Sequence, residues 1–454
     1  MLEVRNPYNG EIIESLPTDE LAAIESKVHQ AKMAFSHWKS TPLIRRMEII
    51  GRFRILLQDH QEDLAQLLTQ EVGKPITQSR NEISGTLKRI DYFLQHIELA
   101  IHTENISQSE KLSEMISWEP LGVLANVSAW NYPYFVGINV IVPAILTGNT
   151  LIYKPSEYSP LTGLKIGWLL KQAGLPEGVF HVVVGASQQG RDLLKQELKG
   201  VYFTGSYATG KAIAQTTASQ LCKLQLELGG KDPVYVRPDV DIKSAAESLA
   251  DGVFYNTGQS CCSVERIYLH EEIYKEFLGH FLDSVGGFKW GDPSKEETYI
   301  GPLARPQHLN YLTKQVDDAV SKGAKLQIGG KVLAEHSGFF EPTVLTQVDH
   351  SMEVMIEESF GPIIGIQGVR SDEEAVQLMN DTPYGLTAGV YTKSKEEAKE
   401  ILDQLESGTV YWNCCDRVSP RLPWTGRKHS GIGSTLSLLG IRSFLQPKAW
   451  HMVE

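Results

Sequence analysis

Between residues 150 and 236, short apolar runs alternate with longer segments of helical periodicity. Strands are predicted at 150–153, 179–184, 200–203, 223–228 and 233–236, and helices at 161–173, from about 185 to 198, and at 206–218. Short strands that alternate with helices in this way predict a parallel sheet with helices on both faces. Such sheets bind ligands at the carboxyl ends of their strands. The chain is therefore expected to have an α/β fold.

The sequence on both sides of this region adds further elements. Helical periodicity is predicted at 18–39 and from Pro42 to about His96, and a polar, aperiodic segment follows at 100–111. Two strands are predicted at 115–118 and 121–128. A second mixed α/β region is expected at about 232–432, beginning with a helix at 241–254. The pair Gly229-Gly230 at its start suits a hinge between two lobes.

Charge and hydropathy exclude several classes of partner. The 454 residues carry a formal net charge of −12, and such an acidic surface repels nucleic acid and anionic membranes. No apolar targeting segment follows Met1, and the most apolar run, 140–146, is interrupted by Pro143 and too short to span a bilayer. These features predict a soluble cytoplasmic protein with no nucleic-acid or membrane partner.

The five cysteines are Cys222, Cys261, Cys262, Cys414 and Cys415. Their number is odd, they form no C-x-x-C motif, and four of them lie in adjacent pairs, for which a disulfide requires strained geometry. The pattern therefore indicates neither a disulfide framework nor a metal site. For each cysteine, the default interpretation is a small buried side chain in a reducing compartment.

A glycine-rich segment, Phe203-Thr-Gly-Ser-Tyr-Ala-Thr-Gly210, joins a predicted strand to a predicted helix. Backbone N–H groups at such a helix start can face a pyrophosphate. The segment lacks the dinucleotide signature G-x-G-x-x-G, and it departs from the P-loop of NTPases because Ala212 stands where a hydroxyl should hold magnesium. Alone, the segment fits equally well with a tight strand-to-helix turn.

Three further segments carry side chains suited to covalent chemistry. Cys261 ends the run Phe254-Tyr-Asn-Thr-Gly-Gln-Ser-Cys261, whose small residues predict an accessible loop for a reactive thiol. Glu227 ends a strand before two glycines, where a carboxylate can act on water as a base. Asn131, in Trp130-Asn-Tyr-Pro133, offers an amide that can donate to an oxyanion. Alone, each also permits a structural interpretation: a buried thiol, a solvated charge and a turn.

Six motifs occur in one order along nearly the whole chain: W-N-x-P, K-P-S-E, F-T-G-S-x-x-x-G, E-L-G-G-K, F-x-N-x-G-Q-x-C and E-E-x-F-G-P. In this combination the sequence resembles the aldehyde dehydrogenase superfamily, with no subfamily assigned. The resemblance implies a Rossmann-type NAD-binding domain (1–101 and 121–229), an α/β catalytic domain (230–432) and a small β element for oligomerisation (102–120 and 441–454). It also implies a homodimer, with a homotetramer as the alternative.

The same resemblance implies the chemistry. Cys261, two residues after Gln259, matches the nucleophile that attacks the aldehyde carbon to give a thiohemiacetal and then a thioester. Asn131 matches the amide that stabilises the oxyanion together with the N–H of Cys261. Glu227 matches the base that activates water to hydrolyse the thioester. The implied product is a carboxylic acid.

The resemblance further implies NAD as cofactor, with NADP as the alternative. The residues at the family's cofactor-binding positions are Trp130, Lys154, Ser156, Glu157, Gly185, Gly205, Ser206, Leu228, Glu358 and Phe360. A carboxylate at Glu157 accepts hydrogen bonds from ribose hydroxyls and repels a 2′-phosphate, which favours NAD.

A substrate tunnel is expected by position from Tyr132, Phe135, Cys262, Asp416, Val418 and Trp424. Its aromatic residues suit an apolar aldehyde. Arg417 and Arg421 suit instead the carboxylate of a semialdehyde, as in a dehydrogenase of the succinate-semialdehyde type, but they are equally well explained as solvated loop arginines. The sequence leaves the aldehyde open.

Three other functions are weighed against aldehyde oxidation. A CoA-acylating aldehyde dehydrogenase is disfavoured because relatives of that kind often lack the glutamate that Glu227 matches. A cofactor-free cysteine hydrolase would leave the glycine-rich loop and the E-E-x-F-G-P motif without a purpose. A non-catalytic binding protein is disfavoured by the intact set of Cys261, Glu227 and Asn131.

Overall fold

The computed structural model describes residues 1–334 and 338–453. The first half of the chain contains strands β1 (Leu2–Arg5) and β2 (Ile12–Leu16), helices α1 (Leu21–Trp38), α2 (Leu43–Asp59), α3 (Gln61–Val72) and α4 (Ile76–Ile101), and strands β3 (Glu104–Gln108), β4 (Leu112–Pro120) and β5 (Val123–Val127). Strands and helices then alternate through α5 (Pro133–Leu146), β6 (Thr150–Lys154), α6 (Pro160–Gln172), β7 (Phe180–Val182), α7 (Ser187–Leu194), β8 (Gly200–Thr204), α8 (Tyr207–Thr217) and β9 (Lys223–Glu227).

The second half begins with β10 (Asp232–Val236), α9 (Ile242–Phe254), β11 (Val264–His270), α10 (Tyr274–Gly286), α11 (Leu309–Ser321), β12 (Lys325–Ile328), β13 (Val332–Ala334), β14 (Phe339–Phe340) and β15 (Thr343–Thr346). It continues with α12 (Glu353–Ile356), β16 (Ile363–Val369), α13 (Asp372–Asn380), β17 (Thr387–Tyr391), α14 (Lys395–Leu402), β18 (Thr409–Trp412), β19 (Gly431–Ile432), α15 (Ser437–Arg442) and β20 (Leu445–Val453).

The first sheet has the strand order β19-β9-β8-β5-β6-β7, and β5 to β9 run parallel. Ile24 of α1 and Ile213 of α8 pack on one face of this sheet, while Phe53 of α2 and Phe93 of α4 lie in the apolar cluster on the other face. The sheet is therefore covered by helices on both sides, as the alternation of strands and helices predicted. The carboxyl ends of its strands share one edge.

The second sheet has the order β12-β15-β16-β11-β10-β17-β18, in which β12 alone is antiparallel to its neighbour. Leu249 of α9 and Phe277 of α10 pack on one face, and Leu312 of α11 and Ala398 of α14 lie in the cluster on the other. The α/β fold class is confirmed. The short β19, at the end of the second predicted α/β region, joins the first sheet by pairing antiparallel with β9.

Two segments depart from the predicted secondary structure. The helical stretch that begins at Pro42 is divided into three helices, because His60 ends α2 and Gly73, with φ +74°, ends α3 in the left-handed region that favours glycine. The polar segment at 100–111 contains β3, whose residues are mostly exposed and therefore carry no alternation of apolar and polar side chains.

The third sheet is a small antiparallel sheet of order β20-β4-β3. Strand β20 pairs with β4 of the same chain along its whole length, from Leu445 opposite Pro120 to Val453 opposite Leu112. The segment at 441–454, for which the resemblance implied an oligomerisation strand, thus contains a strand that pairs within its own chain. No helix of the described residues has the length and apolar character that crossing a membrane requires.

Candidate active site

Two cavities meet at the carboxyl edge of the first sheet. The larger has a volume of about 680 Å³ and lies between the ends of β5, β8 and β9 and the segment before β16. The smaller has a volume of about 300 Å³ and lies between α4, α5 and the loop that precedes β19. Of the described residues, Cys261 and Glu227 alone line both cavities. Reactants held in the two cavities would therefore meet at these two side chains.

The loop that carries Cys261 is fixed by hydrogen bonds. The backbone N–H of Asn256 donates to Oε1 of Gln78 (2.8 Å), which ties the loop to α4. Gln259 donates from Nε2 to the carbonyl of Asn256 (3.1 Å), and its Oε1 accepts from the N–H of Ala304 (3.0 Å). The sulfur therefore sits on a restrained backbone although the loop is irregular.

The turn before Cys261 has an unusual backbone. Asn256 and Thr257 adopt left-handed conformations with φ of 53° and 57°. Gly258 also has a positive φ, +70°, and a Cβ at this position would lie 2.2 Å from the carbonyl oxygen of Gly361. Only glycine fits such an approach, which accounts for the fixed glycine in the F-x-N-x-G-Q-x-C motif.

Cys262 lies beside Cys261 but in a different environment. It is buried, and its thiol donates to Oδ1 of Asp416 (2.9 Å). The hydrogen bond with Cys261, burial and the negative charge of Asp416 raise the pKa of Cys262 well above the ordinary thiol value. Cys262 therefore remains a thiol at neutral pH, and a thiol is a poor nucleophile.

Glu227 stands at the end of β9 with its carboxylate buried. Oε1 accepts a hydrogen bond from the Thr435 hydroxyl and another from Nε2 of Gln225 (3.1 Å). Burial raises the pKa of Glu227 to about 7, against the hydrogen bonds and the positive charge of Arg89, which lower it. A carboxylate with this pKa exchanges protons efficiently near neutral pH.

Asn131 follows β5 and lies in the larger cavity. Its Nδ2 donates one hydrogen bond to the carbonyl of Gln259 (3.2 Å), so the amide retains a second N–H. The backbone carbonyl of Asn131 accepts a hydrogen bond from Nζ of Lys74 (2.7 Å). Lys74 also forms a fully buried ion pair with Glu82. Breaking a buried pair of this kind costs about 3–5 kcal/mol, so the pair holds the Asn131 loop firmly.

Six of the ten residues predicted to bind the cofactor line the larger cavity: Trp130, Gly205, Ser206, Leu228, Glu358 and Phe360. The other four follow β6 and β7 at the same edge of the sheet but do not line this cavity: Lys154, Ser156, Glu157 and Gly185. Nζ of Lys154 lies 4.0 Å from the carboxylate of Glu157.

The larger cavity offers backbone donors that suit the pyrophosphate of a nicotinamide dinucleotide. Ser206 caps α8, so the first N–H groups of this helix, which lack acceptors within the helix, face the cavity where a pyrophosphate would bind. A Cβ at Gly205 would lie 2.4 Å from the Phe203 ring, and one at Gly229 would lie 2.4 Å from the Glu358 carboxylate. Neither position therefore accommodates a side chain unless the neighbouring Phe203 or Glu358 moves.

The segment that carries Glu358 and Phe360 is held in place by hydrogen bonds to a buried glutamate. Glu265 accepts hydrogen bonds from the N–H groups of Ser359 (2.7 Å) and Phe360 (2.9 Å), and it pairs with the buried Lys231 (2.7 Å). Phe360 has a φ of 48°, and its ring packs edge-on against Trp130 with centroids 5.7 Å apart. Phe360 and Trp130 therefore form a fixed aromatic wall on one side of the cavity.

All six residues predicted for the tunnel line the smaller cavity: Tyr132, Phe135, Cys262, Asp416, Val418 and Trp424. Arg417 also lines it, but its side chain is 68% exposed and lies 3.9 Å from Asp251 at the mouth. Arg421 is exposed and does not line the cavity. The described residues contain no cluster of three or more histidine, cysteine or acidic side chains arranged to hold a metal ion.

Comparison with known proteins identifies the family of the chain. The profile of the aldehyde dehydrogenase family matches residues 1–450. The chain belongs to the aldehyde dehydrogenase family. A succinate-semialdehyde dehydrogenase [NADP(+)] of Deinococcus radiodurans is 32% identical to this aldehyde dehydrogenase over 445 residues, which cover 98% of this chain and 93% of that protein. A 3-sulfolactaldehyde dehydrogenase of Pseudomonas putida is 32% identical over 448 residues, covering 98% and 92%.

The fold agrees with this assignment. The crystal structure of betaine aldehyde dehydrogenase from Staphylococcus aureus in complex with NAD+ matches this aldehyde dehydrogenase with a TM-score of 0.95 and 31% identity, covering 99% of this chain and 91% of that one. This aldehyde dehydrogenase is therefore an NAD(P)-dependent oxidoreductase that acts on aldehydes.

The motifs of this aldehyde dehydrogenase did not indicate one wall of the smaller cavity. Helix α4 contributes six residues to the smaller cavity: Gln78, Asn81, Glu82, Gly85, Lys88 and Arg89. Four of them, at 78, 82, 85 and 89, are spaced as one face of a helix. The sequence signal for this wall is the helical spacing of its polar residues, but that spacing does not show whether these residues are buried.

Proposed function

We propose that Cys261 is the nucleophile of this aldehyde dehydrogenase, with Asn131 as oxyanion donor and Glu227 as general base. The observation that carries the proposal is that Cys261 and Glu227 line both cavities. An aldehyde in the smaller cavity and a cofactor in the larger one would reach the same sulfur. The raised pKa of the neighbouring Cys262 thiol supports Cys261 as the nucleophile of the pair.

In the first step, the Cys261 thiolate forms a bond to the carbonyl carbon, and the carbonyl oxygen becomes an oxyanion. The remaining N–H of Asn131 is free to donate to that oxygen, together with the backbone N–H of Cys261. A preorganised donor of this kind contributes about 10²–10³-fold to the rate of such a step.

The dinucleotide would be held by the six cavity-lining residues, with Lys154, Ser156, Glu157 and Gly185 along the same sheet edge beyond them. When bound, it supplies the hydride acceptor that oxidises the thiohemiacetal to a thioester. The Glu157 carboxylate favours NAD over NADP, because it would repel a 2′-phosphate.

In the second step, water attacks the thioester carbon while Glu227 takes a proton from it. The carbon–sulfur bond then breaks, the carboxylic acid leaves, and Cys261 returns as a thiolate. The pKa of Glu227, about 7, suits this role because the deprotonated form is well populated at neutral pH. Hydrolysis by water makes transfer of the acyl group to CoA unnecessary.

We also propose that the chain forms a homodimer, with a homotetramer as the alternative, through the sheet of β3, β4 and β20. Trp450 and Met452 of β20 are exposed on the single chain, at 39% and 43%, and would be covered in such an assembly. The proposed division into domains at 101, 121, 230 and 441 is supported by the membership of the three largest sheets, except that β19 of the 230–432 segment pairs with β9 in the first sheet. Five free cysteines suit a reducing compartment such as the cytoplasm.

The experiment that tests the function is a panel of aliphatic, aromatic and carboxylated aldehydes, assayed with NAD and with NADP for reduction of the nicotinamide. Aldehyde-dependent reduction with at least one member is expected, faster with NAD, and the carboxylic acid is the expected product. Formation of an acyl-CoA in the presence of CoA, with no free acid, would contradict hydrolysis by Glu227.

A further inference from the structure

The wall of the tunnel formed by α4 contains a buried cation. Arg89 lines the smaller cavity and is 5% exposed. Its Nη1 donates to Oδ1 of Asn139 (2.9 Å), which is a neutral acceptor. No carboxylate of the described residues lies within 4.0 Å of its guanidinium nitrogens. Among the residues that the structure describes, none therefore neutralises the charge of Arg89 through an ion pair.

The aromatic residues of the tunnel fix the direction of this guanidinium. Its central carbon lies 3.8 Å from the centroid of the Phe135 ring, and Phe135 stacks on Tyr132. The Phe135 ring occupies space that Gly85 leaves open, since a Cβ there would lie 2.6 Å from Cζ of Phe135. One face of the guanidinium is thus covered, and its edge is left for a ligand in the cavity.

The acidic side chains of the tunnel are engaged elsewhere. Glu82 is bound to Lys74 and accepts from the N–H of Tyr134 (2.9 Å). Asp416 accepts from the thiol of Cys262 (2.9 Å), and burial raises its pKa to about 6. Each therefore has a hydrogen-bond donor of its own within the protein, and the Arg89 guanidinium contacts neither carboxylate.

Glu227, the third acid of the tunnel, accepts hydrogen bonds from Thr435 and Gln225. Its carboxylate lies in the field of Arg89, which lowers its pKa, but the two groups do not form an ion pair. The negative charges of Glu82 and Glu227 favour the Arg89 cation through space, but neither carboxylate is in direct contact with it. A ligand carboxylate in the cavity would supply the direct ion pair that a buried guanidinium favours.

We propose that Arg89 binds the carboxylate of the aldehyde substrate, and that the substrates of this enzyme are therefore aldehydes with a carboxylate at the end remote from the carbonyl. The planar guanidinium matches the two coplanar oxygens of a carboxylate. The inference rests on the proposed function, because it places the substrate carbonyl at Cys261. It assigns the substrate carboxylate to Arg89 rather than to Arg417, which lines the same cavity but is exposed, or to Arg421, which does not line it.

The test compares 4-oxobutanoate with butanal, which have the same chain length and differ in the carboxylate. The wild-type enzyme should favour 4-oxobutanoate in kcat/KM. In Arg89→Met, the ratio of the two kcat/KM values should fall by about 100-fold or more, because a buried carboxylate loses its charged donor. Cys261 and Glu227 act on both aldehydes, so any effect of Arg89 on these two residues changes both kcat/KM values alike and cancels in their ratio.

Two further variants keep the test decisive. Arg89→Lys retains the charge and should keep most of the preference, even if Arg89→Met fails to fold. Arg417→Met is the matched control, because it removes an arginine from the same cavity at an exposed position, and its ratio should change by less than about threefold. Succinate should inhibit butanal oxidation competitively in the wild type and in Arg89→Lys, and more weakly in Arg89→Met.

The outcomes separate the inference from the proposed function. A wild-type enzyme that prefers butanal, or an unchanged ratio in folded Arg89→Met, would overturn the role of Arg89 and leave the chemistry at Cys261 intact. A larger loss of preference in Arg417→Met would also overturn it. A wild-type enzyme that oxidises neither these nor other aldehydes with either cofactor would instead refute the proposed function.

Discussion

The hydroxyl of Thr435 donates a hydrogen bond to Oε1 of Glu227, the carboxylate that lies between the two cavities. Thr435 is itself fixed by a bridge of two backbone hydrogen bonds with Trp424, of 2.8 and 3.0 Å. Trp424 belongs to the wall of the tunnel. One short segment therefore positions the proposed base and an aromatic surface of the substrate site together.

Thr435→Val should raise the pKa of Glu227 above its value of about 7, because the hydrogen bond from Thr435 stabilises the carboxylate. The base acts in its deprotonated form, so the rate of thioester hydrolysis rises with pH through this pKa. The rising limb should move toward alkaline pH by about one to two units, since a hydrogen bond to a charged group contributes about 1.5–3 kcal/mol. The pH profile of kcat measures the shift.

Thr425→Val is the matched control for that profile. Thr425 lies in the same loop, but its hydroxyl donates to the carbonyl of Gly433 (2.7 Å) and not to Glu227. In Thr425→Val, the rising limb of the pH profile of kcat should stay at the wild-type pH. Equal shifts in both variants, or none in Thr435→Val, would mean that the hydroxyl does not tune Glu227.

Glu227→Gln should separate the two halves of the reaction. The amide cannot take a proton from water, so steady-state turnover should fall by about 10²–10⁴-fold. The first turnover does not require the base, and a burst of reduced cofactor should therefore persist. Rapid-mixing absorbance measurements resolve the burst from the steady state. If the burst and the turnover fell together, Glu227 would act before the thioester forms.

Alkylation should distinguish the two adjacent cysteines. Burial and the hydrogen bonds with Cys261 and Asp416 keep Cys262 protonated, so a small alkylating reagent should modify Cys261 first. Peptide mass spectrometry after limited reaction with iodoacetamide measures the order. Activity should be lost in proportion to the modification of Cys261. Labelling of Cys262 before any loss of activity would reverse the assignment.

Glu157→Gln should weaken the preference for NAD. Without the charge, the repulsion of a 2′-phosphate is reduced, and the ratio of kcat/KM for NADP to that for NAD should rise by about tenfold, or 1.4 kcal/mol. Glu177→Gln makes the same change at an exposed residue before β7, at the opposite edge of the sheet, and should leave the ratio as it is. Parallel kinetics with both cofactors test this pair.

The parts of the site that follow strands could be predicted from the sequence. Glu227 ends β9, while Asn131 and the glycine-rich loop follow β5 and β8, and parallel strands bring residues at their carboxyl ends to one edge. Cys261 was identified by its motif, and the turn at Gly258 shows why that motif tolerates little change.

The wall formed by α4 could not be predicted in the same way. Glu82 and Arg89 resemble solvent-facing charges on an amphipathic helix, and their burial depends on contacts with Tyr134 and Asn139 of α5, some 50 positions away. Periodicity did not predict the exposed strand β3 for the converse reason, because a strand with little burial has no apolar pattern; only the family resemblance implied a β element there. Both cases depend on tertiary contacts that spacing along the chain does not encode.

The central claim is that the acyl group is carried by the sulfur of Cys261. The most direct measurement is mass spectrometry of the Glu227→Gln variant, quenched after mixing with an aldehyde and NAD, because slow hydrolysis should let the thioester accumulate. The account predicts one acyl group per active site, on the peptide with Cys261, and its absence in the Cys261→Ala, Glu227→Gln double variant. An acyl group on Cys262, or acyl-free enzyme that still produces the acid through a burst, would contradict it.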